Sequence, residues 1–201
     1  FSRIDEVQQA IIRGDLEMAK PPARWIAGHP EAGMPANTAG QVAAMKAAAN
    51  DVVNAADLTA AAGGAALLLA VCGDCHAAAR VKPALPPEGV IPAVKGPKSH
   101  MVEHQHAVNL LYRGLVAPSE ADWREGARAL EASPLGAKQI PVAEEVIAAE
   151  TQVHDLATRA LDARNVSARA TVYGQVIGAC ASCHGLHGRV WGPGAPKTGG
   201  R

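Results

Sequence analysis

The chain reads Cys-Gly-Asp-Cys-His over Cys72–His76 and Cys-Ala-Ser-Cys-His over Cys180–His184, two copies of the pattern C-x-x-C-H. These two segments contain all four cysteines of the sequence. On an α-helix, positions i, i+3 and i+4 share one face, so each copy directs two thiols and one imidazole the same way. This pattern is the attachment signature of a c-type haem. The two thiols add to the vinyl groups of one porphyrin, and the imidazole binds the iron from the same side.

The sequence therefore predicts two haem c groups, each attached covalently to one copy of the motif. The expected anchors are Cys72 and Cys75 for the first haem and Cys180 and Cys183 for the second. His76 and His184 are the expected proximal iron ligands, because each follows directly after its pair of cysteines.

Other uses of paired cysteines fit the sequence less well. The two pairs begin 108 residues apart (180 − 72), far beyond the spacing of about 15–20 residues in zinc ribbons. A thioredoxin-like redox pair follows a strand in a βαβ unit, whereas both motifs here follow Ala-rich helical sequence. Disulfides would not explain why a histidine follows each pair.

The apolar spacing indicates an all-α fold. Apolar residues recur every three or four positions, which is typical of helices, and the pattern is clearest before the second motif. There the spaced residues are Val166, Ala170, Tyr173, Ile177 and Cys180. We expect four helices in each half, with short connections, arranged as an antiparallel four-helix bundle whose fourth helix ends in the motif.

Several helix starts can be predicted from capping residues and prolines. In the first half, the second helix is expected to start at Pro21 or Pro22, and Asp57 is expected to cap the fourth. In the second half, Ser119 is expected to cap the second helix and Pro141 to start the third.

The two halves resemble each other as an internal repeat. The segment Ile11–Asp15 is similar to Leu111–Leu115 at an offset of 100 (111 − 11). Between the halves lies a stretch rich in proline, which we expect to form a semi-rigid linker. The predicted organisation is a first haem c bundle at 1–82, a Pro-rich linker at 83–98, a second haem c bundle at 99–184, and a Gly- and Pro-rich tail at 185–201.

Composition excludes several classes of protein. The chain of 201 residues has 19 basic and 19 acidic side chains, so its zero net charge offers no basic surface for nucleic acid. No apolar run reaches the roughly 20 residues of a membrane-spanning helix, the nearest being 60–71. Only six residues are aromatic (one Phe, two Tyr and three Trp), which leaves room in a core of small side chains for two porphyrins.

The position of the second motif separates two groups of cytochromes. Only 17 residues follow His184 (201 − 184) and none is Met, so a Met ligand after the motif is excluded for this haem. The motif at the end of a fourth helix resembles class II cytochromes c, the group that includes cytochrome c′. The resemblance covers nearly the whole chain as two copies, each shorter than is usual in that family. It implies a four-helix bundle around each haem.

The resemblance also implies a place for the sixth iron ligand, near the start of the first helix of a bundle. Met101 is at that place in the second half and is our first candidate for the distal ligand of the second haem. The alternatives are His100, His104 and His106, or no protein ligand. At the offset of 100, Phe1 stands opposite Met101 and does not ligate iron. The first haem is then five-coordinate, or its ligand precedes residue 1, or His29 or Met45 supplies it.

Two haems with filled axial sites predict a carrier that exchanges one electron at a time between redox partner proteins, not an enzyme. The alternatives are binding of NO, CO or O₂ at a five-coordinate haem, as in cytochromes c′, and an electron-entry subunit of a larger oxidoreductase, associated with a membrane complex. No catalytic motif is visible. Thioether haem of this kind implies the bacterial periplasm, and the start at Phe1 without a leader is expected of a mature form.

Overall fold

The computed structural model describes residues 2–30, 36–85, 97–132 and 144–186, and within these ranges the protein is helical, with no strand. The all-α fold class is therefore confirmed. The helices are α1 (Ser2–Ile12), α2 (Leu16–Ala27), α3 (Ala39–Val53), α4 (Leu58–Ala79), α5 (Pro97–Val116), α6 (Glu120–Ala132), α7 (Glu144–Asp162) and α8 (Val166–Leu186), with a short 3₁₀ turn at Ala36–Thr38. The predicted start at Pro141, most of the linker and nearly all of the tail lie outside the described residues.

Side-chain oxygens determine where several helices begin. A carboxylate oxygen of Asp57 accepts a hydrogen bond from Ala60 N at 2.8 Å, and Ser119 Oγ accepts one from Asp122 N at 3.2 Å. Such bonds satisfy backbone donors that have no partner within their own helix. Both predicted caps are confirmed.

The predicted start of the second helix at Pro21 or Pro22 is wrong. α2 begins at Leu16, because Asp15 caps it through a hydrogen bond from Met18 N at 3.0 Å. Both prolines therefore lie inside the helix, where each removes one backbone donor. The cap and the burial of one face of α2 outweigh that loss. The buried residues on this face are Ala19, Pro22, Ala23 and Ile26.

The two halves repeat at two offsets, and the predicted offset of 100 is wrong. Asp15 and Ser119 cap equivalent helices, so α1 and α2 match α5 and α6 at an offset of 104 (119 − 15). Asp57 matches Asn165, whose side chain caps α8 at Ala168 N, so α3 and α4 match α7 and α8 at 108 (165 − 57). Over the first two helices of each half, the predicted offset of 100 is four residues shorter than the offset of 104 in the structure. Four residues are close to one turn of 3.6, so the apolar pattern matches almost equally well in both registers.

Burial follows these two registers. In α2 and α6, Ala23 and Ile26 are buried like their counterparts Ala127 and Leu130. In α3 and α7 the same holds for the buried pairs Ala48 and Leu156, Ala49 and Ala157, and Val52 and Ala160. The two halves therefore present equivalent faces to the core.

The two motif-bearing helices pack directly against each other. A Cβ placed on Gly174 of α8 would lie 3.2 Å from the Cβ of Ala66 in α4, and these residues are equivalent at the offset of 108 (174 − 66). Contact between equivalent residues is what a two-fold relation between the halves produces. The buried side chains of both halves form one continuous cluster around this helix pair.

The helix α4 is also the one described helix that is long and apolar enough, by length and composition alone, to cross a membrane. This helix is longer than the apolar run at 60–71 from which the sequence predicted no membrane-spanning segment. Half of the apolar window of α4 is buried inside the protein, against neighbours that include α3 and α8. The core helix of a globular protein has the same composition.

Trp123 offers a direct test of this packing. Its side chain is fully buried on α6, and its Nε1 donates a hydrogen bond to Ala160 O of α7 at 2.8 Å. We expect Trp123→Phe to lower the free energy of unfolding by about 1–3 kcal/mol, because the ring shrinks and Ala160 O keeps only its backbone donor, Ala163 N. Trp25 is 52% exposed, so Trp25→Phe is expected to change stability by less than about 0.5 kcal/mol. Urea titrations followed by circular dichroism compare the two variants, and equal losses would contradict the described core.

Candidate functional site

Both motifs lie at the C-terminal ends of their helices. α4 ends at Ala79, three residues after His76, and α8 ends at Leu186, two residues after His184. All four cysteines are half-buried, and none is in a disulfide. Each motif therefore presents its two thiols and its imidazole from the last turns of one helix.

Burial raises the pKa of three of the thiols, those of Cys72, Cys180 and Cys183. Burial raises the pKa of Cys72 to about 11, and the nearby Cys75 adds to the shift. Burial raises the pKa of Cys180 to about 12, with smaller contributions from Cys183 and Glu150. Reactive redox cysteines have lowered pKa values, so these surroundings do not favour a thioredoxin-like pair. Among the described residues the two cysteine pairs also do not meet in one cluster, as a four-cysteine zinc site would require.

Each motif histidine makes a hydrogen bond to the opposite half of the protein. His76 Nδ1 on α4 donates to Val116 O at the end of α5, at 2.7 Å. His184 Nδ1 on α8 donates to Ile12 O at the end of α1, at 2.5 Å. Val116 and Ile12 are equivalent at the offset of 104 (116 − 12), so the two contacts repeat each other. A carbonyl only accepts, so each imidazole carries a proton on Nδ1, and in the neutral ring the lone pair is then on Nε2.

The opposite half also comes very close to each motif backbone. A Cβ on Gly73 would lie only 2.1 Å from Leu115 O near the end of α5, so no residue larger than glycine fits at position 73 without a shift of the backbone. The second motif has a looser contact of the same kind. A Cβ on Gly14, just after α1, would lie 3.4 Å from Ala181 O of this motif. The end of each first helix thus rests on the motif of the other half.

The candidate distal residues of the second haem lie at the start of α5. His100 and His104 are buried, whereas Met101 and His106 are half-buried. The charge of Glu150, on the neighbouring helix α7, raises the pKa of Cys180 and Cys183, which places this group near the second motif. The structure therefore places Glu150, with His100 and His104 beside it, on the side of the protein that holds Cys180.

The candidate distal ligands of the first haem do not match those of the second. At the offset of 104, Phe1 corresponds to Gln105 (1 + 104) rather than to Met101, and the counterpart of Met101 falls ahead of Phe1 in number. His29 stacks on the ring of Trp25, with ring centroids 4.7 Å apart. Met45 packs against the core as a half-buried apolar residue. Neither contact gives His29 or Met45 a position beside the first motif.

Sequence reasoning missed Glu150. Its Oε1 lies 3.0 Å from His100 Nε2, and its Oε2 lies 3.9 Å from His104 Nε2. The two histidines precede it by about fifty residues, so spacing gives no hint of the contact. The one available signal is the repeat, because the position equivalent to Glu150 at the offset of 108 is Val42 (150 − 108), which is buried.

Two further buried side chains have polar atoms without a hydrogen-bond partner among the described residues. The Tyr173 hydroxyl is one, and burial followed by the charges of Tyr112 and Cys180 raises its pKa well above the usual value. The side-chain amide of Gln8 is the other, at the position equivalent to Tyr112 (8 + 104). Buried polar groups are normally paired, so these two orphaned groups fit a site that also holds a group other than protein.

Comparisons of the chain with protein-family models, with curated proteins and with solved structures found no match. The functional argument therefore rests on the motifs and on the geometry around them.

The close contact at Gly73 can be tested by adding one methyl group. We expect Gly73→Ala to destabilise the protein by roughly 1–3 kcal/mol, because the new Cβ would push the end of α5 away from His76. Gly63→Ala is the matched control on the same helix, since nothing lies within 4 Å of a Cβ there. A helical Gly→Ala change in open space is expected to stabilise by about 0.5–1 kcal/mol. Equal effects of the two variants in urea unfolding would refute the described contact.

Proposed function

We propose that this chain is a dihaem c-type cytochrome that passes single electrons between redox partner proteins in the bacterial periplasm. The proposal is supported above all by the two C-x-x-C-H motifs, each with an imidazole whose Nδ1–H is donated to a backbone carbonyl. An axial histidine needs this tautomer, because the carbonyl fixes the ring and leaves the Nε2 lone pair directed at the metal.

The residues present fit a covalently attached porphyrin. None of the cysteines is in a disulfide, and burial raises the pKa of Cys72 and Cys180, which suits thiol anchors in an apolar site. The orphaned Tyr173 hydroxyl, whose pKa is raised by burial and in part by the charge of Cys180, supports the same interpretation. Haem supplies the one-electron chemistry, and the chain fixes its position.

The surrounding helices favour electron transfer over catalysis. Each proximal histidine lies on a helix of about twenty residues and is held from the other side by the end of another helix. Ligands on such rigid elements move little between oxidation states. With Met101 as the distal ligand of the second haem, that iron would have both axial sites filled and a potential higher than with two imidazoles. In this proposal each half supplies one haem-bearing four-helix unit of the class II type, and the end of α1 or α5 from the other half completes its surroundings.

One observation favours a second candidate function for the first haem, binding of a diatomic gas. Val42 occupies in the first half the position of Glu150 in the second, so the first half has an apolar residue where the second has a buried carboxylate. An apolar distal side with no strong ligand is the setting in which a five-coordinate haem binds NO, CO or O₂.

The first test is covalent haem content. We expect the purified protein to show two haems per chain by the alkaline pyridine spectrum, and a mass that retains both under denaturing conditions. The double variant Cys180→Ser/Cys183→Ser is expected to keep one haem, and Cys72→Ser/Cys75→Ser to keep the other. Protein matured with the haem-attachment machinery that still carries no covalent haem would rule out the proposal.

The second test separates the carrier from the gas-binding protein. We expect low-spin EPR signals from both ferric haems and no change in the ferrous spectrum with CO. Met101→Ala is expected to remove the sulfur-to-iron charge-transfer band and to make one haem bind CO. Met18→Ala is the control, because Met18 is 60% exposed on α2.

Each contrary outcome has a definite meaning. CO binding by one haem of the unaltered protein would replace the carrier with the gas-binding function at that haem. An unchanged spectrum in Met101→Ala would refute Met101 as a ligand and leave His100, His104 and His106.

A further inference from the structure

Three buried side chains meet between α5 and α7. The ligating atoms of His100, His104 and Glu150 all lie within 4.8 Å of one another. The side chains are only 5%, 9% and 12% exposed, respectively. His100 and His104 are one helical turn apart on α5, so both imidazoles face α7 from the same side, with ring centroids 4.0 Å apart.

The carboxylate of Glu150 is incompletely paired. Oε1 is 3.0 Å from His100 Nε2, but Oε2 is buried and accepts no hydrogen bond among the described residues. Oε2 lies 3.9 Å from His104 Nε2, too far for a hydrogen bond. Burying a carboxylate oxygen without a partner is costly, and a cation between the carboxylate and the imidazoles would remove that cost.

The repeat indicates that the fold does not need this carboxylate. Val42 takes the equivalent place in α3 and is buried there, as is Ala49 two turns further along the same face. An apolar residue at this position therefore packs well in the same scaffold. A glutamate in its place, opposite two histidines, is explained better by ligand chemistry than by packing.

We propose that His100, His104 and Glu150 bind one divalent transition-metal ion, in a site separate from the haem irons. Two histidines at i and i+4 on one helix, with a carboxylate from a second helix, are a common ligand set for Zn²⁺. Ligands of a tetrahedral Zn²⁺ are about 3.3 Å apart, close to the separations found here. Binding displaces the proton shared by His100 and Glu150, and the fourth position of the metal is left for water.

This assignment goes beyond the proposed function and does not depend on it. It assigns two of the three histidines at the start of α5 to the metal and leaves Met101 as the candidate for the haem. The cluster lies between α5 and α7, and both helices contact α8, which carries the second motif. Under the proposed function, a cation there would stabilise the reduced form of the haem on α8, so binding should raise the potential of that haem only.

The experiment measures Zn²⁺ binding to the full-length protein as purified, with its native cofactors, after treatment with a chelator and removal of the chelator. We expect one Zn²⁺ per chain, by calorimetry and by elemental analysis of gel-filtered protein. Glu150→Val introduces the residue that the first half already carries at this position and is expected to fold and to lose at least 100-fold in affinity. Glu150→Gln keeps the shape of the side chain and should show a similar loss. His106→Gln, on the same helix but outside the cluster, is expected to bind as the unaltered protein does.

Several results would overturn the site. Failure of the unaltered protein to bind stoichiometric Zn²⁺ would leave a simple histidine–carboxylate pair. Unchanged affinity in Glu150→Val would place any bound metal elsewhere. A shift of the haem spectrum in His104→Ala, without Zn²⁺ binding by the unaltered protein, would make His104 a haem ligand instead. Haem content, counted in the same samples, tests the proposed function separately, because loss of the metal is expected to leave both haems attached.

Discussion

The hydrogen bond from each motif histidine to the opposite half is the constraint on which the rest of the structure depends. Ile12 O and Val116 O lie in the last turns of α1 and α5, where carbonyls have no donor within their own helix. The imidazole of the other half satisfies each of them. For these contacts to form, α4 and α8 must cross where they do, and the ends of α1 and α5 must reach across the molecule. Neither motif is therefore completed by its own half.

This arrangement makes α5 a physical connection between the two motifs. At its start, His100 contacts Glu150, whose charge acts on Cys180 and Cys183. At its end, Val116 O holds His76. The helix is rigid over this length, so a shift of α5 along its axis moves groups at both motifs together. By the same geometry α1, which ends at Ile12 O beside His184, belongs to the surroundings of the second motif as well as to the first half.

The sequence predicted the features that residues a few positions apart determine. It missed the contacts between residues that are far apart in the chain. The motifs, their place at helix ends and the caps Asp57 and Ser119 all follow from residues a few positions apart. The repeat register failed over α1 and α5, because a slip of one helical turn preserves the apolar pattern. The contact of Glu150 with His100 spans fifty residues (150 − 100), and the two cross-half carbonyls have no side-chain signature at all. Only the folded chain brings such groups together.

The repeat now separates what the scaffold requires from what is particular to one site. Positions that are apolar in both halves, such as Val52 and Ala160, serve the common core. Positions that differ, such as Val42 and Glu150, give one half a side chain that the other half lacks. Under the proposed function, two irons on equivalent helices would otherwise have nearly equal potentials, because potential follows ligands, burial and nearby charge. A buried carboxylate with two histidines in one half, and a valine in the other, is the kind of difference that lets a single duplicated scaffold hold two haems with distinct properties.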